Sequence, residues 1–526
     1  MPSNKGIFFY GEDNLTPLKA IKISQGILKG ELSKKIIEKI QKSHDHIAAI
    51  VKEGKVVYGI NTGFGSLCRT IISCENTQKL QDNLIRSHSV GVGEPVPLSI
   101  TKLMLIMKIH SLSFGFSGIS LNVIRRIMWL LEKDYLPYVP TKGSLGASGD
   151  LAPLAHLFLP LIGLGKLFYN GAYVETHSVY KKENLEPITL GAKEGLALIN
   201  GTQFIGAYTV EILDRFFICL EAADIIGAMT LEGLLGSAKP FDKKLHMLRP
   251  FNGSQHVAYR LRNLLKNSEM VASHEQCGRV QDPYSIRCMP QVHGASRDAW
   301  LHLKEQSIIE LNSVTDNPVI FDKDTTISGG NFHGQPLALP LDYCGIAASE
   351  IGNISDRRTF LLLKGGEAGL PELLMKNTGI NSGFMMPQYT SAALVSENKT
   401  LSFPASVDSI PTSLGQEDHV SMGSISARKT YQIILNLEYI LAVEILCAAQ
   451  AFDYRKPLKS SKILEACHNL VRDEIDHAEE DRIFANDIEV ARDIITSKRL
   501  IELTYNIAQN EDINIKGPYY DLFGIR

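Results

Sequence analysis

Residues 143–156 have the sequence Gly-Ser-Leu-Gly-Ala-Ser-Gly-Asp-Leu-Ala-Pro-Leu-Ala-His. At the centre stand Ala147, Ser148 and Gly149, three small residues that allow the backbone to adopt compressed turns. In a sufficiently tight turn, the amide nitrogen of Gly149 can attack the carbonyl carbon of Ala147. Loss of water, with loss of the Ser148 hydroxyl, then leaves a five-membered ring with an exocyclic methylene. Because no ordinary side chain is a good electrophile, such a ring would decide the chemistry of the protein.

The alternative interpretation of this stretch is a glycine-rich loop that makes a turn or binds an anion at a helix start. It is not a typical phosphate loop, because no Gly-Lys-Ser/Thr follows the glycines. The longer run from Ala147 to His156 resembles the signature of the aromatic amino-acid ammonia-lyases. The resemblance implies an autocatalytic 4-methylidene-imidazol-5-one (MIO) ring made from Ala147, Ser148 and Gly149. It implies no external cofactor and no metal, and the sequence has no metal-ligand spacing such as His-Glu-x-x-His.

Composition excludes several classes of partner. The chain has 526 residues, 44% of them hydrophobic and 21% charged, with a net charge of −3. These values are typical of a globular protein and give no electrostatic basis for binding nucleic acid or an anionic membrane. The eight cysteines are scattered without a Cys-x-x-Cys pair, which indicates reduced thiols in the cytoplasm. The apolar stretch 433–452 contains two glutamates and therefore indicates a buried helix rather than a membrane span.

Helical patterns predominate and predict a mainly α fold built as a long-helix bundle. We predict helices that begin after Ser33, at Ser99, and at Ser120 or Asn122. Long helices are expected over about 195–236, 338–363 and 424–453, and two exposed helices over about 461–505. Strand patterns are sparse, with one candidate at 55–58 and short hairpins near 165–175 and 318–328. The resemblance implies that the bundle is of the fumarase/aspartase-like type.

The pattern changes near residue 200, where Gly- and Pro-rich motifs give way to long helices. This change predicts an N-terminal domain over 1–200, with the tyrosine loop and the electrophile, and an elongated helical-bundle domain over 201–526. Long apolar helices usually need further helices to cover them, so we predict an oligomer. In relatives the active site gathers residues from different subunits of a homotetramer. The resemblance thus implies that Tyr58, Ala147 and Glu417 do not all meet within one chain.

The stretch from Tyr58 to Gly65, Tyr-Gly-Ile-Asn-Thr-Gly-Phe-Gly, predicts a tightly bent loop. Taken alone, Tyr58 is typical of a packed surface aromatic residue. The stretch is similar to the catalytic tyrosine loop of the family, which implies that Tyr58 removes a β-proton from the substrate. Because a phenol has a pKa of about 10, this role requires positive potential nearby, such as helix N-termini or an arginine.

Two further motifs concern the substrate side chain and the electrophile. The pair Ser87-His88 lies where the family selects its substrate side chain; Ser-His is typical of histidine ammonia-lyases, although some bacterial tyrosine lyases also have it. Taken alone, His88 is typical of a structural histidine. In the stretch Glu194–Thr202, Asn200 taken alone indicates only a helix irregularity, and the resemblance implies that it lies against the electrophile.

The stretch Gln281-Asp-Pro-Tyr-Ser-Ile-Arg-Cys288 contains a candidate for carboxylate recognition. Arginine binds carboxylates in a bidentate manner, although an arginine taken alone is usually a surface charge. The resemblance to the histidine-lyase motif implies that Arg287 binds the substrate α-carboxylate. It implies that Tyr284 and Gln281 are polar groups near the electrophile, and that Phe332 forms an aromatic wall.

The stretch Gln416-Glu-Asp-His-Val-Ser-Met422 discriminates best among members of the family. Taken alone, it is consistent with a solvated helix start. Histidine lyases have this sequence, whereas relatives that act on phenylalanine or tyrosine usually have Asn-Gln-Asp. A carboxylate at Glu417 suits an imidazole with N–H donors, but it would be an expensive buried charge against a phenyl ring. Within the family, the resemblance over about residues 50–455 is therefore to the histidine ammonia-lyases.

The resemblance implies elimination of ammonia from L-histidine to give trans-urocanate, the first step of histidine degradation. Two alternatives remain open at this point. One is a tyrosine ammonia-lyase or an MIO-dependent aminomutase, and the other is a non-catalytic structural homologue. Four residues depart from the usual pattern and leave room for an altered substrate preference: Lys142 for glutamine, Phe403 for histidine, and Leu414-Gly415 for Ala-Asn.

Overall fold

The computed structural model describes residues 6–54, 56–57, 59–63, 72, 74–274, 279–366 and 368–525. Helices predominate in these ranges. The first helices are α1 Pro17–Ser24, α2 Lys34–Lys52, α3 Cys74–His88, α4 Leu98–Ser113, α5 Leu121–Glu132, α6 Leu151–Phe158, α7 Thr176–Glu183 and α8 Glu194–Ile199. The middle of the chain forms α9 Gln203–Gly233, α10 Lys243–Met247, α11 Asn252–Leu264, α12 Glu269–Ala272, α13 Tyr284–Arg287, α14 Met289–Leu311, α15 Gln335–Lys364, α16 Met385–Leu401 and α17 Gly423–Asp453. The last helices are α18 Lys462–Arg472, α19 Phe484–Thr496, α20 Arg499–Asn510 and α21 Tyr520–Phe523.

The strands are short and lie at the margins of the helical core. They are β1 Gly6–Phe9, β2 Leu28–Glu31, β3 Val92–Pro95, β4 Leu136–Pro137, β5 Pro140–Lys142, β6 Lys166–Tyr169, β7 Ala172–Glu175, β8 Val319–Ile320 and β9 Thr326–Ile327. The pair β1–β2 is parallel, with Gly6 opposite Leu28. The pairs β3–β5, β4–β6, β6–β7 and β8–β9 are antiparallel.

Three long helices, α9, α15 and α17, run in the same direction through the core. Near their first turns, Ile205 lies beside Gly334 and Gly423. Near their last turns, Gly233 lies beside Leu362 and Ala451. Helix α14 runs the opposite way, since Trp300 donates to the Leu213 carbonyl at 2.9 Å while Met289 packs on Gly227. The N-termini of α9, α15 and α17 therefore meet at one end of the bundle.

Helix α17 has the length and apolar composition that would suffice to cross a membrane. Of its most apolar window, 83% is buried inside the protein. Its two glutamates are paired there: Glu438 with Arg215 at 2.6 Å and Glu444 with Arg358 at 2.6 Å. Burial on all sides and paired charges are the properties of a core helix. The predicted long-helix bundle, mainly α, is confirmed.

The predicted helix starts are confirmed at two of three places. Ser33 and Ser120 cap α2 and α5 by accepting from the third backbone N–H that follows each of them. The prediction at Ser99 is wrong by one residue, because α4 begins at Leu98 directly after Pro97, without a side-chain cap. Proline is favoured beside helix starts because its φ suits the chain there.

The glycines of the helical stretch predicted over 195–236 differ in their effect: Gly201, with a φ of 125°, lies in a break of the helix, whereas Gly206 and Gly227 do not. The chain leaves helical geometry at 200–202, between α8 and α9, whereas Gly206 and Gly227 lie inside α9. A Cβ at these glycines would lie 2.2 Å from the Met107 side chain and 2.6 Å from that of Met289. Both glycines therefore serve close packing between helices, which a local sequence pattern does not distinguish from a break.

Other secondary-structure predictions have mixed outcomes. The hairpins near 165–175 and 318–328 are confirmed as β6–β7 and β8–β9. In the candidate strand 55–58, Val56 and Val57 belong to no strand, and Lys55 and Tyr58 lie outside the described residues. The C-terminal segment contains three helices over 462–510 rather than two. Each has a buried face, because Cys467, Ile494 and Leu500 reach the core.

Candidate active site

The stretch 143–150 forms a compressed turn. Gly146, Ser148 and Gly149 have positive φ values of 88°, 51° and 81°, and Gly146 and Gly149 are bridged as in an antiparallel pair. A Cβ added at Gly149 would lie 2.2 Å from the carbonyl oxygen of Gly201. Only glycine fits this approach to Gly201, and its positive φ contributes to the compression of the turn.

Asp150 ties this turn to the start of α9. Its Oδ2 accepts from the N–H groups of Phe204 at 3.0 Å and Ile205 at 2.9 Å. Its own N–H donates to the Gly201 carbonyl at 2.7 Å. Burial raises the pKa of Asp150 to about 7, although these two N–H donors lower it. The turn is thus anchored by a carboxyl group shielded from water.

Four helix N-termini converge on the turn. Helix α6 begins directly after Asp150 and α9 is held by the Asp150 carboxylate. Helix α17 follows Met422, whose N–H donates to Leu145 at 3.0 Å, and α15 begins beside it. Helix N-termini carry partial positive charge. The protein therefore provides positive potential where an electron-accepting group would develop negative charge.

Ser148 and Glu417 meet within one chain. The Ser148 hydroxyl donates to Glu417 Oε1 at 3.3 Å, and Thr412 Oγ1 donates to the other oxygen, Oε2, at 3.1 Å. The sequence predicts that Tyr58, Ala147 and Glu417 do not all meet in one chain, and the structure describes two of these three residues. The Ala147 turn and Glu417 do meet, while Tyr58 lies outside the described residues.

His88 is the last residue of α3 and lies within electrostatic reach of Glu417. Burial lowers the pKa of His88, against the opposing effects of the Leu84 carbonyl and the Glu417 carboxylate. Its Nδ1 lies 2.9 Å from the Leu84 carbonyl, which can only accept, so Nδ1 is the donor. Nε2 is then free to accept a hydrogen bond. The Glu417 carboxylate is thus close enough to His88 to raise the pKa of its imidazole, although burial outweighs this effect.

The side-chain oxygen Oδ1 of Asn200 is buried. Among the described residues, no donor reaches its Oδ1, although its backbone oxygen accepts from Lys108 Nζ at 2.6 Å. An unsatisfied buried acceptor costs about 1–3 kcal/mol. Together with the glycine-only approach of Gly149 to Gly201, the orphaned oxygen fits a ring formed at 147–149 as its missing neighbour. Phe332 is half-buried, and its carbonyl also faces Gly149.

Gln281, Tyr284 and Arg287 are not brought to this turn within one chain. Tyr284 is 71% exposed, and the Arg287 guanidinium lies over its ring, 4.5 Å from the centroid. The segment is bound at the far end of α9, where Asp282 accepts from the N–H of Ser237 at 2.6 Å. Helix α9 has 31 residues and is therefore about 45 Å long.

Two contributors to the site were missed by the sequence analysis: Thr412 and Lys108. Neither lies in a recognisable motif.

The departures from the family pattern at 414 and 415 are explained by the backbone, because Ser413, Leu414 and Gly415 all have positive φ, at 53°, 55° and 84°. Glycine and the usual asparagine are the residues that best tolerate this conformation, so Gly415 is conservative. Phe403 and Leu414 are 76% and 95% exposed.

Comparison with known proteins identifies the family of the chain. A sequence model of the family described as "Aromatic amino acid lyase" matches residues 15–473. The chain is 48% identical to the histidine ammonia-lyase of Natranaerobius thermophilus, over 90% of this chain and 93% of that one. It is 45% identical to that of Caldanaerobacter subterraneus, over 93% and 97%.

Solved structures are similar along nearly the whole chain. The histidine ammonia-lyase of Trypanosoma cruzi superposes with a TM-score of 0.89 at 39% identity, covering 99% of this chain and 97% of that one. The tyrosine aminomutase of Streptomyces globisporus superposes with a TM-score of 0.89 at 33% identity, covering 96% and 98%. The chain therefore belongs to the aromatic amino acid lyase family.

Proposed function

We propose that this protein is a histidine ammonia-lyase, a carbon–nitrogen lyase that converts L-histidine to trans-urocanate and ammonia. The observation that carries the proposal is the hydrogen bond of 3.3 Å between Ser148 and Glu417. It puts a carboxylate beside the reacting residue, with the imidazole of His88 nearby. This pair of acceptors suits a substrate imidazolium, which offers one N–H donor to the Glu417 carboxylate and a second to Nε2 of His88. A phenyl ring could use neither group.

Aromatic amino acid lyases use an autocatalytically formed MIO group. We propose that here it forms from Ala147, Ser148 and Gly149. It supplies an electrophile, which no ordinary side chain provides. The orphaned Oδ1 of Asn200 and the carbonyl of Gly201 would hold the ring, and Phe332 would close one side.

The other roles belong to the residues of the chain itself. Tyr58 acts as the general base toward the substrate β-proton. The converging helix N-termini favour the phenolate that this role needs. Arg287 binds the α-carboxylate and so orients the Cβ–H bond, with Gln281 and Tyr284 beside it.

These roles require more than one subunit. The segment 281–287 is bound beyond the far end of α9, a helix about 45 Å long, so we propose a homotetramer in which neighbouring subunits supply this segment. Exposed apolar side chains along α15 are consistent with helix faces that need covering: Leu339, Tyr343, Ile346 and Phe360. We also keep the division into 1–200 and 201–526 as a proposal; it falls at the break between α8 and α9.

Complementation tests the shared site. Ser148→Ala and Arg287→Ala are expected to be inactive alone, and their co-expression is expected to restore part of the activity. Restoration requires that residues 148 and 287 of one site come from different chains. A co-expressed mixture as inactive as the single variants would contradict the shared site. Activity of an isolated monomer, seen by light scattering under assay conditions, would contradict it as well.

The proposed reaction is tested by a parallel assay with L-histidine, L-tyrosine and L-phenylalanine, in which ammonia and product are followed. We expect urocanate from histidine alone. Ser148→Ala is expected to lose at least about a thousandfold in kcat/KM and to lack the near-ultraviolet absorbance of the ring. Release of ammonia from tyrosine, or formation of a β-amino acid, would indicate a tyrosine lyase or an aminomutase instead.

The cellular location is a smaller part of the proposal. The cysteines whose side chains are described are free thiols: Cys219, Cys288, Cys344, Cys447 and Cys467. Free thiols suit a reducing compartment, and we propose a cytoplasmic enzyme that binds a small amino acid and neither nucleic acid nor membrane.

A further inference from the structure

Glu417 is presented by an unusual backbone reversal. Thr412 and Glu417 form an isolated antiparallel bridge, with the Thr412 N–H donating to the Glu417 carbonyl at 3.0 Å and the reverse bond at 3.4 Å. Of the four residues between them, Ser413, Leu414 and Gly415 have positive φ, and Gln416 has a φ of −68°. Left-handed backbone costs about 1–2 kcal/mol per residue other than glycine, so this reversal persists only because its surroundings hold it.

Thr412 and Glu417 are joined by a side-chain hydrogen bond as well as by the two backbone hydrogen bonds. Thr412 Oγ1 donates to Glu417 Oε2 at 3.1 Å, and Ser148 donates to Oε1 at 3.3 Å. The two carboxylate oxygens therefore have separate tasks. One is held by the threonine, and the other is directed at the reacting residue. A hydrogen bond to a charged acceptor is about twice as strong as a neutral one, and it limits rotation of the carboxylate.

We propose that Thr412 is a positioning residue, which locks Glu417 in the orientation that accepts an imidazole N–H. This inference rests on the proposed function, because it concerns recognition of histidine. Thr412 acts only through Glu417. Its loss therefore weakens the binding of imidazole compounds and spares compounds that have a phenyl ring in the same place.

The first test compares Thr412→Val with wild type. Thr412 has extended backbone, at φ −134° and ψ −178°, which valine favours. We expect kcat/KM for histidine to fall about tenfold, the loss of one charge-assisted hydrogen bond. Inhibition by trans-urocanate should weaken by a similar factor, while inhibition by trans-cinnamate stays unchanged. Near-ultraviolet absorbance of the ring should stay as in wild type.

Two variants serve as controls. Thr412→Ser keeps the hydroxyl and is expected to stay within about twofold of wild type. Thr400→Val removes an exposed hydroxyl at the end of α16 and is expected to have no effect. If Thr412→Val does not fold, Thr412→Ala takes its place. Equal weakening of urocanate and cinnamate would show a merely structural role and would overturn the proposal.

A double-mutant cycle decides whether Thr412 acts through Glu417. In a Glu417→Gln background, Thr412→Val is expected to have less than a twofold further effect, because the charged acceptor is already gone. A full tenfold effect there would overturn the proposal. If wild type forms urocanate but Thr412→Val equals it, only the positioning role is wrong. If wild type itself forms no urocanate, the proposed function is wrong and this inference is overturned with it.

Discussion

Two groups of buried polar side chains contact α9, and they differ in how completely their charges are matched. The first group contacts the middle and second half of α9, and we call it the bundle network. It consists of Glu221, Asp224, Arg260, His293, Arg297, Arg358 and Glu444. The loop group lies at the first turn of α9 and consists of Lys108, Asp150 and Asn200. Both are almost wholly buried, so the cost of removing them from water is comparable in kind.

In the bundle network, each carboxylate is met by arginine. Glu221 contacts Arg297 at 3.0 Å and Arg260 at 2.9 Å, and both Glu444 oxygens are bound by Arg358, at 2.6 and 2.8 Å. Burial raises the pKa of Asp224, but Arg297 and His293 hold it well below its usual range. Such matching indicates a structural role.

In the loop group, the matching is incomplete. Burial raises the pKa of Asp150 to about 7, and burial lowers the pKa of Lys108 to about 7. The side-chain oxygen of Asn200 has no partner among the described residues. Incompletely matched polar groups near a strained turn are typical of reactive sites. The comparison teaches that burial alone does not separate the two roles, whereas the pairing of buried carboxylates with arginines does.

The distinction between the two groups requires that the bundle network stabilises the fold. We expect Arg358→Met to lower the free energy of unfolding by about 3–5 kcal/mol, because it leaves Glu444 buried without its cation. Urea unfolding measures this, and turnover per folded molecule should stay unchanged. The Lys29 side chain is 56% exposed and pairs with that of Glu31, which is 36% exposed, so Lys29→Met should leave the free energy of unfolding almost unchanged. Equal effects of the two variants would contradict a structural network.

Substitutions in the loop group should lower activity and leave the free energy of unfolding nearly unchanged. Asn200→Ala is expected to lower kcat/KM about a hundredfold, while stability changes by less than about 1 kcal/mol, since no protein hydrogen bond to Oδ1 is lost. The matched control is Asn436→Ala, which removes a buried hydrogen bond of 2.9 Å from the Asn436 side-chain amide to the side-chain oxygen of Asn398. It should lower stability by about 1 kcal/mol or more without affecting turnover. A strongly destabilised Asn200→Ala would remove the distinction.

His110 on α4 is a third kind of buried polar residue, a neutral one, and it makes the free energy of unfolding depend on pH. His110 Nδ1 accepts from the Gly11 N–H at 3.0 Å, which only the neutral ring can do, and burial lowers the pKa of His110 to about 4. In the unfolded chain, histidine titrates at about 6.5. The unfolded state therefore binds the extra proton first, and stability falls as pH decreases from about 6.5 to 4.

The size of this effect is measurable by urea unfolding across that pH window. The contribution of His110 is at most about 1.4 kcal/mol per pH unit, and His110→Gln should flatten the slope by that amount. His177, which is exposed, serves as the control, and His177→Gln should leave the slope as in wild type. An unchanged slope in His110→Gln would show that His110 does not contribute.

The smallest expected effect concerns strain near Glu417. Leu414 has a φ of 55°, so Leu414→Gly should relieve backbone strain. Greater freedom of glycine in the unfolded chain offsets part of this gain, and we expect a net stabilisation below about 1 kcal/mol. Ile410, an exposed neighbour, is the control; Ile410→Gly should be destabilising. A loss of stability in Leu414→Gly would indicate that the Leu414 side chain makes a stabilising contact.

Local patterns predicted the elements well, and they failed where distant residues decide. The caps at Ser33 and Ser120 depend on neighbours within one turn, and both are confirmed. Gly206 and Gly227 remain helical because they pack on Met107 and Met289, which lie elsewhere in the sequence. The parallel pairing of β1 with β2 was missed for the same reason. The boundary at residue 200 stays a prediction.

The sequence by itself determined the family, the helical class and the chemistry-bearing motifs, because short motifs specify local turns and reactive groups. Only the tertiary structure brought Ser148 to Glu417, added Thr412 and left the side-chain oxygen of Asn200 without a partner among the described residues. It also separated Arg287 from the turn by the length of α9. Spacing along a chain determines which residues are near neighbours in a helix or turn. Distances between residues hundreds of positions apart depend on how the helices pack.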